Sequence, residues 1–452
     1  MPDSPEQWFA YLGDKMASRL PELTRLRQYM SGDAPLPKGA TQYRESYAEW
    51  QKMARTNFAE LAVDAKADRL KISGFRVGQD RSDNDAARRI WRRSKGGGMA
   101  SDVHRDALTY GVGYAMASEG RNGAVLTRES PFSTIVEMDP LDPTWVQAGL
   151  KVWSDRSADH AVLHLPGEVV KFVRAVPGRT RLPGRLQLFT SGGWEIDGEG
   201  SGGTGLDRVP IVAFVNRDEI GEYANHTDLL DRINWVTLQR LLIVAAQAFR
   251  QRALEDTSDE KEGLPKTDVE TGEDINWSDE FIAGPDALWV LPPGVKIWES
   301  QPGDIAQILQ ASKEDIRQFG AVTRTPMSQL VPDGENQTAE GASLAREGLV
   351  EAAGDRVERF TSGWDDVVSC ALGIDGVEDQ VETQWKPVER QSVAERFDAL
   401  SKSGSDVPWR TKMTEILGYP SDQVDRMELE RAADATFTAQ DAPTLHTRVD
   451  VQ

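Results

Sequence analysis

The residue groupings in this chain that could do chemistry are few, and each has a plain structural alternative. Gly111-Val112-Gly113 has the spacing of the first two glycines of a dinucleotide-binding turn, where backbone approaches a pyrophosphate. The third glycine is missing and the preceding segment reads as helix, not strand, so the match stops short of a nucleotide site. Lys95-Gly96-Gly97-Gly98 supplies a glycine run, but no Lys and Ser or Thr follow it, and a Walker-type phosphate loop needs both. His160 and His164 are four apart, but Ala161-Val162-Leu163 between them reads as strand, where i and i+4 lie too far apart to share a zinc easily. Carboxylate pairs such as Asp365-Asp366, or Asp14 near Glu22, could serve general acid and base in a hydrolase. A chain with 73 Asp and Glu against 52 Lys and Arg produces such pairs by chance. No catalytic residue, no metal ligand and no cofactor is expected.

Charge points the same way. The formal net charge is −21, opposite to a chain built to grip nucleic acid, which should be basic. Against that background stands one basic cluster, Arg88, Arg89, Arg92, Arg93 and Lys95 around Ile90 and Trp91. On a helix Arg88/Arg92 and Arg89/Arg93 fall at i and i+4, a positive stripe that could meet an acidic partner or simply pair with local acids such as Asp83 and Asp85. The single cysteine, Cys370, excludes an internal disulfide and lies on a helical apolar stripe, which favours a buried, inert thiol. The first residues have neither a basic nor an apolar leader segment, so no signal peptide is expected.

The elements that would position any site are clearer than the site. A helix starting at Thr227 or Asp228 carries Leu229, Ile233, Val236, Leu238, Leu241 and Ile243, becomes apolar almost all round at Leu241-Leu242-Ile243-Val244-Ala245-Ala246, and is expected to run to about Leu254. A helix apolar on every side needs neighbours on every side. It is too short in apolar length to span a bilayer, which takes about 20 such residues. Glu255 to Glu280 is acidic and loop-like, then Trp277, Phe281, Trp289 and Trp298 are separated by Gly284-Pro285 and Pro292-Pro293-Gly294. Ala287–Leu291 and Val295–Trp298 read as two short strands, and the aromatics either dock a partner or fill a small β-core. A second helix follows from Gly303-Asp304 with Ile305, Ile308, Leu309 and Ile316 on one face. After the Pro332-Asp333-Gly334 turn, a long helix of about 50 Å runs from Thr338-Ala339 to about Ile374. Upstream, residues 125–215 alternate β-like runs such as Thr134-Ile135-Val136 and Val169–Val173 with glycine turns at Gly192-Gly193 and Gly200 to Gly205, a hairpin grammar.

With those pieces in place the chain resembles the portal proteins of tailed bacteriophages, of the type common in long-tailed phages of actinobacteria. The resemblance rests on Leu23–Gly32, Asn57–Leu70, Gly74-Phe75-Arg76, Asp106–Tyr114, Val209–Val212, Val407-Pro408-Trp409 and Ile416–Pro420, taken in order and spacing. It implies an α+β fold with an α/β wing over 1–225, a stem of two helices at 226–250 and 303–324, and a small β-containing clip between them at 251–302. A tunnel loop at 325–338, a long helix returning to the wing at 339–383 and a helical crown at 384–452 complete it.

Function follows as expectation. The resemblance implies a ring of probably twelve identical subunits at one capsid vertex, assembled in the host cytoplasm and carried in the virion, with no membrane partner. Double-stranded DNA would pass through its channel during packaging and ejection. The packaging terminase, the head–tail connector or adaptor, and the major capsid and scaffold proteins would be its partners. Asp333, Gly334, Glu335, Asn336, Gln337 and Thr338 would form the tunnel loop, with Lys313, Arg317 and Arg324 as the nearest cations. Trp277, Phe281, Trp289 and Trp298 would meet the connector, and Leu238, Leu241, Leu242, Ile243, Ile305 and Leu309 would pack subunits in the stem. An acidic wall would let the duplex slide, because a lysine-rich lumen would hold it. The competing readings are another virion component, such as a tail or baseplate adaptor, and a carboxylate-based hydrolase.

Overall fold

The computed structural model describes residues 2–37, 45–79, 83–176, 192–204, 206–248, 252–256, 267, 271–272, 274, 295–299, 305–331, 339–377, 379–389, 393–404, 406–419 and 421–440. The chain divides into two compact units. The first joins Met1–Pro35, Thr56–Asp231 and Ile316–Gln452; the second joins Leu36–Arg55 and Arg232–Asp315.

The first unit opens with α1 (Pro5–Met30), whose Ser4 cap accepts from the Gln7 N–H and whose Pro5 occupies a position that needs no donor. Its buried Leu12, Met16, Leu20, Leu23 and Leu26 recur at steps of four and three, one face of a helix. The short α2 (Glu45–Met53) belongs to the second unit. Back in the first come α3 (Phe58–Ala67), β1 (Ile72–Val77), α4 (Asp85–Arg93) and α5 (Gly96–Tyr110).

Eight strands follow: β2 (Val112–Gly120), β3 (Gly123–Glu129), β4 (Thr134–Met138), β5 (Val146–Ser154), β6 (Ala158–Leu165), β7 (Glu168–Ala175), β8 (Glu195–Gly203) and β9 (Ile211–Val215). They form a three-stranded sheet, β3-β2-β9, and a five-stranded meander, β4-β5-β6-β7-β8, antiparallel throughout. One face of the meander is covered by α1. Leu12 and Met16 pack on Ile135, Leu150, Leu163 and Phe172, and Phe9 stacks on Phe172 with ring centroids 4.2 Å apart. Each such side chain removed from water contributes about 1.5–3 kcal/mol, so this face is a main source of the unit's cohesion.

The glycine pair flagged in the sequence has a packing role. Gly111 caps α5 at φ 85°, and a Cβ there would lie 2.0 Å from the Glu219 carbonyl oxygen; at Gly113 one would lie 2.4 Å from that of Val103. Backbone approaches backbone where no side chain fits.

Next come α6 (Thr227–Ala248), β10 (Arg252–Asp256), β11 (Val295–Glu299) and α7 (Ile305–Val322). Arg232 near the start of α6 pairs with Asp315 on α7 at 3.0 Å. A short α8 (Met327–Leu330) precedes α9 (Ala339–Ile374), at 36 residues the longest helix described, which lies along β2, β3 and β9. Then β12 (Val381–Trp385) pairs antiparallel with β1, and α10 (Val393–Lys402), a helical turn and a π-turn over 409–416, and α11 (Ser421–Gln440) end the described chain.

Three expectations change. The helix expected to reach Leu254 gives way to a strand at Arg252–Asp256, which pairs with β11 in a register that sets Arg252 opposite Glu299 and Glu255 opposite Lys296. What stabilises a strand lies across the ladder, which local helical propensity does not register. The glycines from 200 to 203 do not turn. They form the edge strand β8, where Lys171 donates its N–H to the Ser201 hydroxyl beside a register shift, a setting that tolerates glycine. Gln384 and Trp385, placed at the start of the crown, instead complete β12 on the β1 ladder, with the Trp385 indole donating to Thr361 on α9 at 2.9 Å.

Candidate functional site

The end of α7 meets a buried polar junction. The helix stops where Thr325 N–H reaches back to Gly320, with Arg324 between them at φ 52°, a left-handed position that glycine usually fills. Into this end points Lys66 from the last turn of α3, 1% exposed. Its ammonium donates to the Thr323 carbonyl at 2.7 Å and the Ala62 carbonyl at 3.3 Å and pairs with Glu222 Oε2 at 3.2 Å. Glu222 Oε1 in turn accepts from Arg356 Nη2 at 2.7 Å and Nε at 3.1 Å, and from Asn216 Nδ2 at 3.3 Å. Arg356, on α9, also donates to Asp355 at 2.7 Å.

Burial pushes the Lys66 ammonium below the usual lysine range against the pull of Glu222. Burial alone would raise the Glu222 carboxyl, but Lys66 and Arg356 together outweigh it and hold that group below the usual range. The cluster borders a cavity of about 240 Å³ that opens past Arg217, Asn225 and Arg324. Because the Lys66 ammonium is held by two carbonyls and a carboxylate, the cluster acts as a joint between α3, the segment before α6, the end of α7 and α9.

A second buried junction faces α9. Trp364 Nε1 donates to His104 Nε2 at 2.9 Å, which leaves the ring proton of neutral His104 on Nδ1. His104 stacks on Phe360 at 5.4 Å, and Trp364 packs on Phe214 at 4.7 Å and Trp91 at 5.4 Å. Burial pushes the His104 pKa down to about 3, so the ring stays neutral through the physiological range.

The carboxylate pair lines a groove of about 710 Å³ with Asp207, Arg208, Cys370 and Asp379. Asp365 Oδ1 is occupied by the Thr383 N–H at 2.7 Å and hydroxyl at 2.6 Å and so holds β12 to α9. Burial raises the Asp366 carboxyl, Arg208 opposes it and Asp365 adds to it. Burial also pushes the Cys370 thiol up to about 11, the inert thiol expected. The two histidines four apart lie on β6, and His160 turns to Asp155 at 2.9 Å. Among the described residues no group of His, Cys, Asp or Glu could hold a metal ion, and no helix is long and apolar enough to cross a membrane.

Of the residues named from sequence, Asp333, Gly334, Glu335, Asn336, Gln337, Thr338, Trp277, Phe281 and Trp289 lie outside the described residues. Trp298 stands in β11, opposite Ala253. Lys313 and Arg317 are exposed on α7, and Arg324 is exposed just beyond its end. Leu238 is buried on α6, Leu241, Leu242, Ile243 and Ile305 are half-buried, and Leu309 is 42% exposed. Sequence reasoning missed Lys66, Glu222, Arg356 and His104, whose partners are remote in the chain. It also missed α1, whose apolar spacing was a usable signal.

Comparison with known proteins completes the description. Residues 10–436 match the profile of the family described as phage portal protein, SPP1 Gp6-like. The portal protein of Mycobacterium phage L5 is 22% identical over 415 residues, covering 85% of this chain and 80% of its own. That of Mycobacterium phage D29 is 23% identical over 413 residues, covering 84% and 80%. Among solved structures, a chain of the virion of a native gene transfer agent particle matches with a TM-score of 0.48 at 13% identity, over 88% of this chain and 99% of that one. A chain from the neck of an empty particle of that kind, computed with C6 symmetry, gives 0.46 at 14% identity, over 84% and 97%.

Proposed function

We propose, from the premise that this chain belongs to the phage portal protein family, SPP1 Gp6-like, the way in which its parts form a conduit for DNA. It is a portal protein, a structural component of the virion at the capsid vertex. Copies of the chain close into a ring around an axial channel, with α6 and α7 as the stem, the segment 251–302 as the clip, 325–338 as the tunnel loop and the residues beyond β12 as the crown.

The observation that carries this arrangement is apolar surface left uncovered on the proposed stem. Trp235 is 47% exposed, Val244 48% and Leu309 42%, and Leu241, Leu242 and Ile243 are half-buried. Large apolar side chains gathered on one pair of helices mark a surface that a neighbour covers. In a closed ring of identical subunits every stem has a neighbour on each side.

Double-stranded DNA passes through the channel, driven in by a terminase whose ATP hydrolysis this chain does not itself perform, and leaves by it at ejection. The net charge of −21 suits a wall that does not hold the duplex. The clip docks the terminase and later the head–tail connector, the wing meets major capsid and scaffold proteins, and assembly takes place in the host cytoplasm. A tail or baseplate adaptor would share the exposed apolar stem but would need no axial channel.

Negative-stain electron microscopy of the purified chain over a range of concentrations tests the arrangement. Rings with a central hole wide enough for a duplex are the expected outcome. Monomers at every concentration, with and without scaffold, would overturn it.

A further inference from the structure

We infer that the exposed face of α4 is a contact for duplex DNA, in which Arg89, Arg92 and Lys95 take the phosphodiester backbone. The inference rests on the reading of the chain as a DNA conduit. Its starting point is how differently the five cations of this cluster are used. Arg88 pairs with Asp83 at 2.8 Å and with Asp85 at 3.5 Å, and Arg93 donates to the Ala124 carbonyl at 2.7 Å beside Asp375. Those two hold α4 to its surroundings. The side chains of Arg89, Arg92 and Lys95 are exposed and have no hydrogen bond or ion pair among the described residues.

In a chain with 73 acidic against 52 basic residues, three adjacent cations without an acid stand out. The helix dipole accounts for Arg92 and Arg93 in the last turn of α4, but not for Arg89 a turn earlier, nor for Lys95 beyond its end. From Arg89 to Lys95 the run covers about 9 Å at 1.5 Å per residue. A duplex strand offers one phosphate per about 3.4 Å of axis, so two to three phosphates fall within reach. The approach is open, since Gly97 and Gly98 carry no side chain and a Cβ at either would meet nothing within 4 Å. Guanidinium forks take phosphate oxygens two at a time, as they do carboxylates, but a duplex offers its phosphates in a regular closely spaced row, which scattered surface carboxylates do not.

The test is fluorescence anisotropy of a labelled duplex titrated with the purified full chain from about 50 to about 200 mM salt. Three phosphate contacts predict a log–log slope near −2.7, an affinity loss of about fortyfold across that range. The triple variant R89A/R92A/K95A is expected to lose that slope, while Lys402→Ala, at an exposed lysine on α10, keeps it. Single changes Arg89→Gln and Lys95→Gln should each lower the slope by about 0.9, which covers the case of a misfolded triple variant. No salt-dependent duplex binding by the parent chain, or an unchanged slope in the variants, overturns the inference. So does binding of polyglutamate in place of the duplex, which would point to an acidic protein partner. Electron microscopy of the same samples separates the two readings: rings with unchanged slopes sink only the α4 contact, and absent rings sink the conduit.

Discussion

The buried ammonium of Lys66 donates to the carbonyl oxygen of Thr323 at 2.7 Å, across 257 positions of sequence. A carbonyl at the end of a helix carries partial negative charge, and here a cation from another helix caps it in place of solvent. Glu222 lets that cation be buried, and Arg356 extends the joint to α9.

Glu222→Gln removes the one carboxylate that, among the described residues, touches both Lys66 and Arg356, and leaves two buried cations facing each other. Breaking a buried pair from one side costs about 3–5 kcal/mol. Urea denaturation of the variant beside the parent reads the loss directly, and a difference below about 1 kcal/mol would show that the joint is dispensable.

His104 gives the fold an acid limit. Its folded value of about 3 lies below the 6.5 of a free imidazole, so the unfolded chain takes the proton first. The contribution is complete above pH 6.5 and drains as pH falls towards 3, on the order of 5 kcal/mol in all at about 1.36 per unit. Burial depresses His164 in the same direction, to about 4. Thermal melts at about pH 7.5, 6 and 4.5 should show the decline, and His104→Phe, which keeps the ring stack but has no proton to take, should flatten it. Equal pH dependence in parent and variant would refute the assignment.

A charge on the proposed stem should act on assembly and spare the fold. Leu242→Glu or Ile243→Asp, at half-buried positions on α6, is expected to abolish rings while far-ultraviolet circular dichroism stays unchanged. Light scattering behind a sizing column checks it, and an undiminished ring peak would remove α6 from the interface.

Trp277→Ala with Trp289→Ala separates docking from packing in the proposed clip. Intact rings that fail to capture a head–tail connector are the expected result. Loss of the folded chain would assign both indoles to a core.

Much of the framework was legible in the sequence because it is written in local periodicity. The ends of α9 at Ala339 and Ile374 and the start of α6 at Thr227 follow from apolar spacing and capping residues. The Gly111 and Gly113 pair stands out in the sequence, but only the structure supplies the carbonyls of Glu219 and Val103 that exclude a Cβ. The joint was not legible. Lys66 looks like any helical lysine until Thr323 and Glu222 arrive from distant parts of the chain, and β10 reads as the tail of a helix until β11 lies across from it.

The pairing of β1 with β12 has a consequence for the order of events in synthesis. Hairpin neighbours let β4 to β7 close as they emerge from the ribosome, and α1 is already waiting for them. The only described ladder partner of β1 is made some three hundred residues later. At about 5–20 residues per second that is a delay of roughly a quarter of a minute to a minute, during which the strand has both edges open. A nascent chain cut short before Val381 would therefore be released with an unmatched strand, and quality control could recognise it by that edge.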